Sequence, residues 1–144
     1  MDALNSNILK CLQENARQSN AEIGRKVGIS SPAVSERIKK MEDAGVIEGY
    51  RTIVSPYEVG YQLKAIITLR AFMGKLKPFL EKVKTFDEVV NCYRITGDEN
   101  IVMVVVIKNQ KHLERLIDQF IVYGETKTQI VLSDIVRNGR IQPL

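Results

Sequence analysis

A chain of 144 residues, 44% hydrophobic and 26% charged, has the makeup of an ordinary globular protein and is long enough for one domain or two small ones. Its formal charge of +4 and pI of about 9.1 are compatible with nucleic acid without demanding it. The longest unbroken apolar stretch, Ile101–Ile107, is far short of the ~20 residues a membrane span needs; no leader-like segment opens the chain, and Cys11 and Cys92 lack disulfide or metal-ligand spacing.

In chain order, Leu4, Ile8, Leu9 and Leu12 give an apolar face to a first helix that ends before Arg17. Residues 19–45 then carry the pattern that organises the chain. Ser19 and Glu22 form a capping box, which opens a second helix, and Gly28 suits its end. Gly24 sits inside that helix, where glycine costs roughly 1 kcal/mol against alanine. Its small size is therefore expected where two nearly perpendicular helices cross. Ser31-Pro32 restarts the chain: Pro32 suits the first helical position and Ser31 is the expected cap, with Ser30 one residue away as the alternative. Val34, Ile38 and Met41 make the buried stripe of this third helix, and Ser35, Glu36, Arg37, Lys39 and Lys40 lie opposite. Two short helices joined by a tight turn form a helix-turn-helix, a unit used for DNA and also as a plain structural corner.

Gly45 closes the third helix, and Val46–Val54 is β-rich, so a hairpin wing is expected there with Arg51 near phosphate. Pro56–Gly60 reads as a hinge. Dividing the charges at Ser55 leaves +1 in front and +3 behind, so a DNA-binding role rests on local cations. Placed in a major groove, the third helix would turn Ser35 and Arg37 to base edges, the arginine through its bidentate fork. Ser30, Ser31, Pro32 at the first turn, and the cations Arg25, Lys26, Lys39 and Lys40, would meet phosphates.

Beyond the hinge, Leu63, Ala65, Ile67, Leu69 and Ala71 alternate as a strand, and Leu76, Phe79, Leu80 and Val83 recur at helical spacing. Glu88–Ile95 and Ile101–Ile107 read as strands joined by Thr96–Asn100. Leu113, Leu116, Ile117, Phe120 and Ile121 make a helix ended by Gly124, and Lys127–Val136 is a last strand. The order βαββαβ is that of a ferredoxin-like unit, so the fold class is α+β. Ile101–Ile107 is apolar on both faces, while both helices of such a unit cover only one. A second copy of the chain is the economical cover, which predicts a homodimer through the sheet faces.

The two halves together resemble the Lrp/AsnC, or feast/famine, transcriptional regulators. The match spans essentially the whole chain and is strongest at NARQSNAEIGRKVGISSPAVSERIKKMEDAGVIEGYRTIVSPYEVGY, CYRITGDENIVMVVV and TKTQIVLSDIV. The resemblance implies a winged helix-turn-helix domain over residues 1–50, a wing strand and hinge over 51–61, and a ferredoxin-like oligomerisation and effector-sensing domain over 62–144. It further implies cytoplasmic, nucleoid-associated dimers that assemble to octamers on double-stranded DNA, with no membrane, cofactor or metal. An amino-acid effector would sit beside Thr96–Asn100. There Gly97 admits a carboxylate to backbone N–H groups and Asp98 or Glu99 meets an ammonium. Thr126, Thr128 and Gln129 are further candidates for that pocket. Asn100 stands where the family often has aspartate.

Two rival readings are a DNA-bending protein of low specificity and a stand-alone amino-acid sensor acting on a protein partner. An enzyme is disfavoured: the lone His112 has no nucleophile or metal partner in view, Asp87-Glu88 and Asp98-Glu99 are adjacent acids rather than an acid-base pair, and no phosphate-binding glycine loop is present.

Overall fold

Asp2 starts the first helix by accepting the Asn5 N–H on Oδ1 at 2.7 Å, and α1 runs over Ala3–Glu14. In the computed structural model, which describes residues 1–144, α2 follows at Asn20–Val27 and α3 at Ser31–Asp43. The capping box forms as read: Ser19 Oγ accepts the Glu22 N–H at 3.2 Å, and Glu22 Oε2 accepts the Ser19 N–H at 2.7 Å. Gly28 closes α2 in the left-handed region, φ +79°. The cap of α3 is Ser30, not Ser31, because Ser30 Oγ accepts the Ala33 N–H and Ser31 already has helical backbone, with Pro32 next in the first turn. Ile8, Cys11, Ile23, Val34 and Met41 form one buried cluster, with Leu9, Leu12, Val27, Ile29, Ile38 and Ile47 packed around it.

Gly24 is buried in this unit, and a Cβ placed on it would lie 2.5 Å from the Ile29 carbonyl oxygen. The backbone of the turn, rather than a crossing helix, is what excludes a side chain there. The expected wing does not form: no strand lies between Asp43 and Leu63, and Tyr50, Ile53 and Val54 are exposed. A hairpin of that length holds only with a sheet or core to pack on, and β-rich composition alone does not supply one.

The second half folds as β1 (Leu63–Ala71), α4 (Leu76–Lys82) with a 3-10 turn at Val83–Thr85, β2 (Val89–Arg94), β3 (Ile101–Ile107), α5 (Gln110–Phe120) and β4 (Gly124–Ile130). The antiparallel sheet has the order β2-β3-β1-β4, the ferredoxin-like arrangement expected. Ala65, Ile67 and Leu69 on β1 face the helices with Ile101, Met103, Val105 and Ile107, and bury Phe79, Val83, Leu116 and Phe120. Phe120 meets both Phe79 and Phe86 edge-on at 5.5 and 5.1 Å, the preferred aromatic geometry. Gly124 does not end the preceding helix, which stops at Phe120, but starts β4. Opposite Ala71, a Cβ there would meet the Arg70 carbonyl oxygen at 2.3 Å, so the sheet demands glycine. The strand ends at Ile130, six residues before the Val136 expected.

Two compact units result: Met1–Ile53 together with Val136–Leu144, and Val54–Ile135. The tail was expected with the sheet but lies on α1 instead. Gln13 accepts the Ile141 N–H on Oε1 at 2.8 Å and donates from Nε2 to the Ile141 carbonyl at 2.9 Å, while Arg140 pairs with Glu14 at 2.6 Å.

Candidate functional site

The surface of α3 is sorted by its own periodicity. Val34 and Met41 are buried against α1 and α2, which turns Pro32, Ser35, Glu36, Lys39 and Lys40 outward, all exposed. Ser30 and Ser31 lie exposed at the start of the helix, where free N–H groups and the helix dipole favour an anion. Lys40 pairs with Glu36 at 2.7 Å, an exposed contact that a phosphate can displace at small cost. Arg25 and Lys26 are exposed in the last turn of α2, and Lys26 donates to Gln18 Oε1.

Two expected DNA contacts are placed differently. Arg37 does not point outward with Ser35. It lies on the flank of α3 and donates from Nη1 to Asp2 Oδ2 at 2.7 Å and to Asn5 Oδ1 at 2.9 Å, so one nitrogen of the fork expected at a base edge is engaged at the start of α1. Arg51 sits in irregular backbone, not on a wing, though it is exposed. The neighbouring Tyr50 hydroxyl donates to Glu42 Oε1 at 2.8 Å. Although the ring is largely exposed, partial desolvation of the hydroxyl and then that carboxylate push the phenol up to about 12. Sequence reasoning overlooked Asp2 and Asn5. The sequence signals only that Asp2 can cap a helix ahead of an apolar run, and carries no sign of the contact with Arg37.

The loop Thr96–Asn100 between β2 and β3 lies across the end of β1. The Asn100 N–H donates to the Leu69 carbonyl at 3.0 Å, and Asn100 Oδ1 accepts the Ala71 N–H at 2.7 Å. This second bond explains the residue. An amide oxygen serves as well as an aspartate oxygen, and asparagine costs the loop no contact that the structure makes. Gly97 has φ +111°, which a side chain would strain, and it leaves the loop backbone open to solvent beside the exposed Asp98.

Glu99 is engaged by Lys127 at 2.7 Å, and that lysine's hydrogen bond holds its carboxyl below the usual range while the carboxylate raises the lysine. Thr126 and Thr128 pair opposite Leu69 and Ile67 on the helix-covered face, whereas Lys127 pairs opposite Thr68 on the other. The threonines are therefore not gathered on the side where Glu99 meets Lys127. Gln129, opposite Ile66, shares the open face with Lys127.

That open face carries the half-buried Ile66, Val102 and Val104 at its centre, with Val106 already buried toward one end, Tyr93 and Asn91 on one edge strand and Lys127 and Gln129 on the other. Neither helix covers it. His112 has an ordinary structural role: Nδ1 accepts the Lys108 N–H at 3.2 Å, which leaves Nε2 to donate to Glu88 at 2.7 Å. No helix is long and apolar enough to cross a membrane.

Comparison with known proteins follows the same division. A winged helix-turn-helix DNA-binding family matches residues 1–48, and the Lrp/AsnC ligand binding domain matches residues 64–141. The HTH-type transcriptional regulator Ptr1 of Methanocaldococcus jannaschii is 33% identical over 81% of this chain and 79% of its own length. The solved structure of Escherichia coli AsnC is 32% identical, covers 99% of both chains and superposes with a TM-score of 0.87. The transcriptional regulator NMB0573 of Neisseria meningitidis, solved as an L-Met complex, shares the fold at a TM-score of 0.90 over 95% of this chain and 93% of its own, at 24% identity.

Proposed function

The chain belongs to the Lrp/AsnC family of DNA-binding transcriptional regulators, and from that premise we propose how its surfaces divide the work. α3 enters the major groove with Ser35 and Lys39 toward base edges. Ser30, Ser31 and Pro32 at its start, with Arg25, Lys26, Lys40 and Arg51, meet the phosphates. The observation that carries this reading is the outward set on α3, whose exposed side chains lie opposite buried Val34 and Met41.

The open sheet face pairs with that of a second chain. An apolar centre with a polar rim is the composition of a buried interface, and a homodimer covers the one face the helices leave bare. Two recognition helices then read half-sites about 34 to 36 Å apart. Dimers assemble further to octamers, cytoplasmic and associated with the nucleoid. An amino acid binds at the loop Thr96–Asn100. Gly97 and Asp98 are its ligands there, because Glu99 is spoken for by Lys127 and Asn100 by Ala71. The L-Met complex of the Neisseria regulator supports this effector class.

The test is selection of genomic duplex fragments by the purified protein, followed by shift titrations with and without each amino acid. Enrichment of a few fragments, and a change in their affinity with one amino acid equivalent to roughly 1 to 3 kcal/mol, is the expected result. Equal binding of selected and random duplexes would favour a DNA-bending role instead.

A further inference from the structure

Arg37 is a cation on the recognition helix that the protein keeps for itself. Both Nη1 hydrogens are committed, one to Asp2 Oδ2 at 2.7 Å and one to Asn5 Oδ1 at 2.9 Å, whereas Nε and Nη2 have no protein partner. The Asp2 carboxylate is itself fixed, since its other oxygen accepts the Asn5 N–H at 2.7 Å as the cap of α1. That backbone bond first, and Arg37 second, hold the Asp2 carboxyl below its ordinary range, so it stays ionised at neutral pH. A carboxylate and an amide oxygen thus occupy the positions that a DNA acceptor would need on the Nη1 side of the guanidinium. Bidentate recognition of guanine through Nη1 and Nη2 is closed while they remain.

We infer that Asp2 and Asn5 are positioning residues that hold Arg37 against α1 and neutralise its charge, so that Nη1 meets a phosphate or a guanine edge, and the guanidinium acts with its full charge, only once the Asp2 carboxylate is displaced. This rests on α3 being the helix that faces the duplex. The pair is partly exposed, 31% for Arg37 and 53% for Asp2, so displacement is possible and the effect is moderate. Its consequence is specificity. Every duplex meets the same barrier, but only one that offers Arg37 two acceptors in register recovers it. Asp2 therefore weakens binding to random sequence more than binding to a true site.

The experiment exploits the fact that asparagine caps helices as well as aspartate does, so Asp2→Asn removes the competing charge and keeps α1. Affinity for a random-sequence duplex is measured against salt for the full chain, Asp2→Asn, Arg37→Ala and the double variant, with thermal melts as a control on folding. Asp2→Asn is expected to bind random duplex about two- to five-fold tighter. The slope of log K against log salt should steepen by about 0.9, the increment for one added phosphate contact. Arg37→Ala alone should weaken random binding less than Lys39→Ala or Lys40→Ala does, and in the Asp2→Asn background it should abolish the gain. An unchanged or weaker affinity and slope for a normally folded Asp2→Asn overturns the inference. Lys39→Ala and Lys40→Ala distinguish the reason: if they too leave binding unchanged, the orientation of α3 is at fault, and if they weaken it, only the role of Asp2 fails.

Discussion

Replacing Gly24 with alanine sets two known effects against each other. In an ordinary helix interior, alanine gains about 1 kcal/mol over glycine. Here the added methyl would sit 2.5 Å from the Ile29 carbonyl oxygen, against the roughly 3.3 Å at which carbon and oxygen normally touch. The obstructing atom is backbone, and the Ile29 N–H is bonded back to the Gly24 carbonyl at 3.1 Å, so no side chain can swing aside. Forced overpacking of this kind costs typically about 1 to 3 kcal/mol, which leaves a net loss of up to about 2 kcal/mol after the helical gain. For a unit of about 60 residues that loss lowers the melting temperature by about 4 to 8 °C per kcal/mol. The turn that must yield also sets the start of α3, so duplex affinity should fall in the temperature range where the variant is still folded. Circular dichroism melts and shift titrations on the same preparation measure both. A variant that melts several degrees higher and binds as before would refute the steric account.

Ser30→Ala should cost about 1 kcal/mol in urea denaturation while Ser31→Ala is close to neutral, because only Ser30 accepts a backbone N–H; equal losses would contradict the cap assignment. Asn100→Asp should preserve the bond to Ala71. Asn100→Ala leaves that part-buried N–H unpaired and should cost about 1 to 3 kcal/mol, with faster hydrogen exchange at Ala71 as the local readout. Glu22 supplies a pH dependence. The Ser19 backbone N–H, then its hydroxyl, lower the carboxyl below the ordinary 4.5, so its stabilisation is present above that value and is lost as pH falls through the lower folded one. Melts of the parent and Glu22→Gln should converge in acid and diverge above pH 4.5; parallel curves would remove the capping box from the account.

What was legible in the sequence was local. The alternation of Leu63–Ala71 and the apolar run Ile101–Ile107 specify strands without reference to anything distant, and both are found with the bounds expected. Ser19 and Glu22 likewise act within one turn. The contacts that the sequence does not show depend on partners far along the chain: Asp2 for Arg37, Ala71 for Asn100, Lys127 for Glu99 and Arg70 for Gly124. In each case the residue type was recognised, but its partner is set by the tertiary fold. Val46–Val54 failed for the complementary reason. Its β propensity is real, but propensity describes how a residue fits a sheet and does not create the neighbouring strand.

The tail changes the electrostatic argument as well as the boundary. Cut at the hinge, the sequence assigned most of its positive charge to the rear half, which left the DNA-binding half nearly neutral. In the fold, Met1–Ile53 holds eight basic and seven acidic residues, and Val136–Leu144 adds Arg137 and Arg140 with no acid, so this unit carries +3. The unit Val54–Ile135, with eleven basic and ten acidic residues, carries +1. The excess cation count therefore belongs to the helical unit. Arg140 is spent in part on Glu14, but that contact also cancels an acid on α1, so the net charge seen from a distance is unaltered. Encounter with a polyanion responds to that net charge rather than to any one side chain on the outward face of α3. The helix-turn-helix segment, nearly neutral by itself, thus gains most of its unit's net positive charge from residues at the opposite end of the sequence.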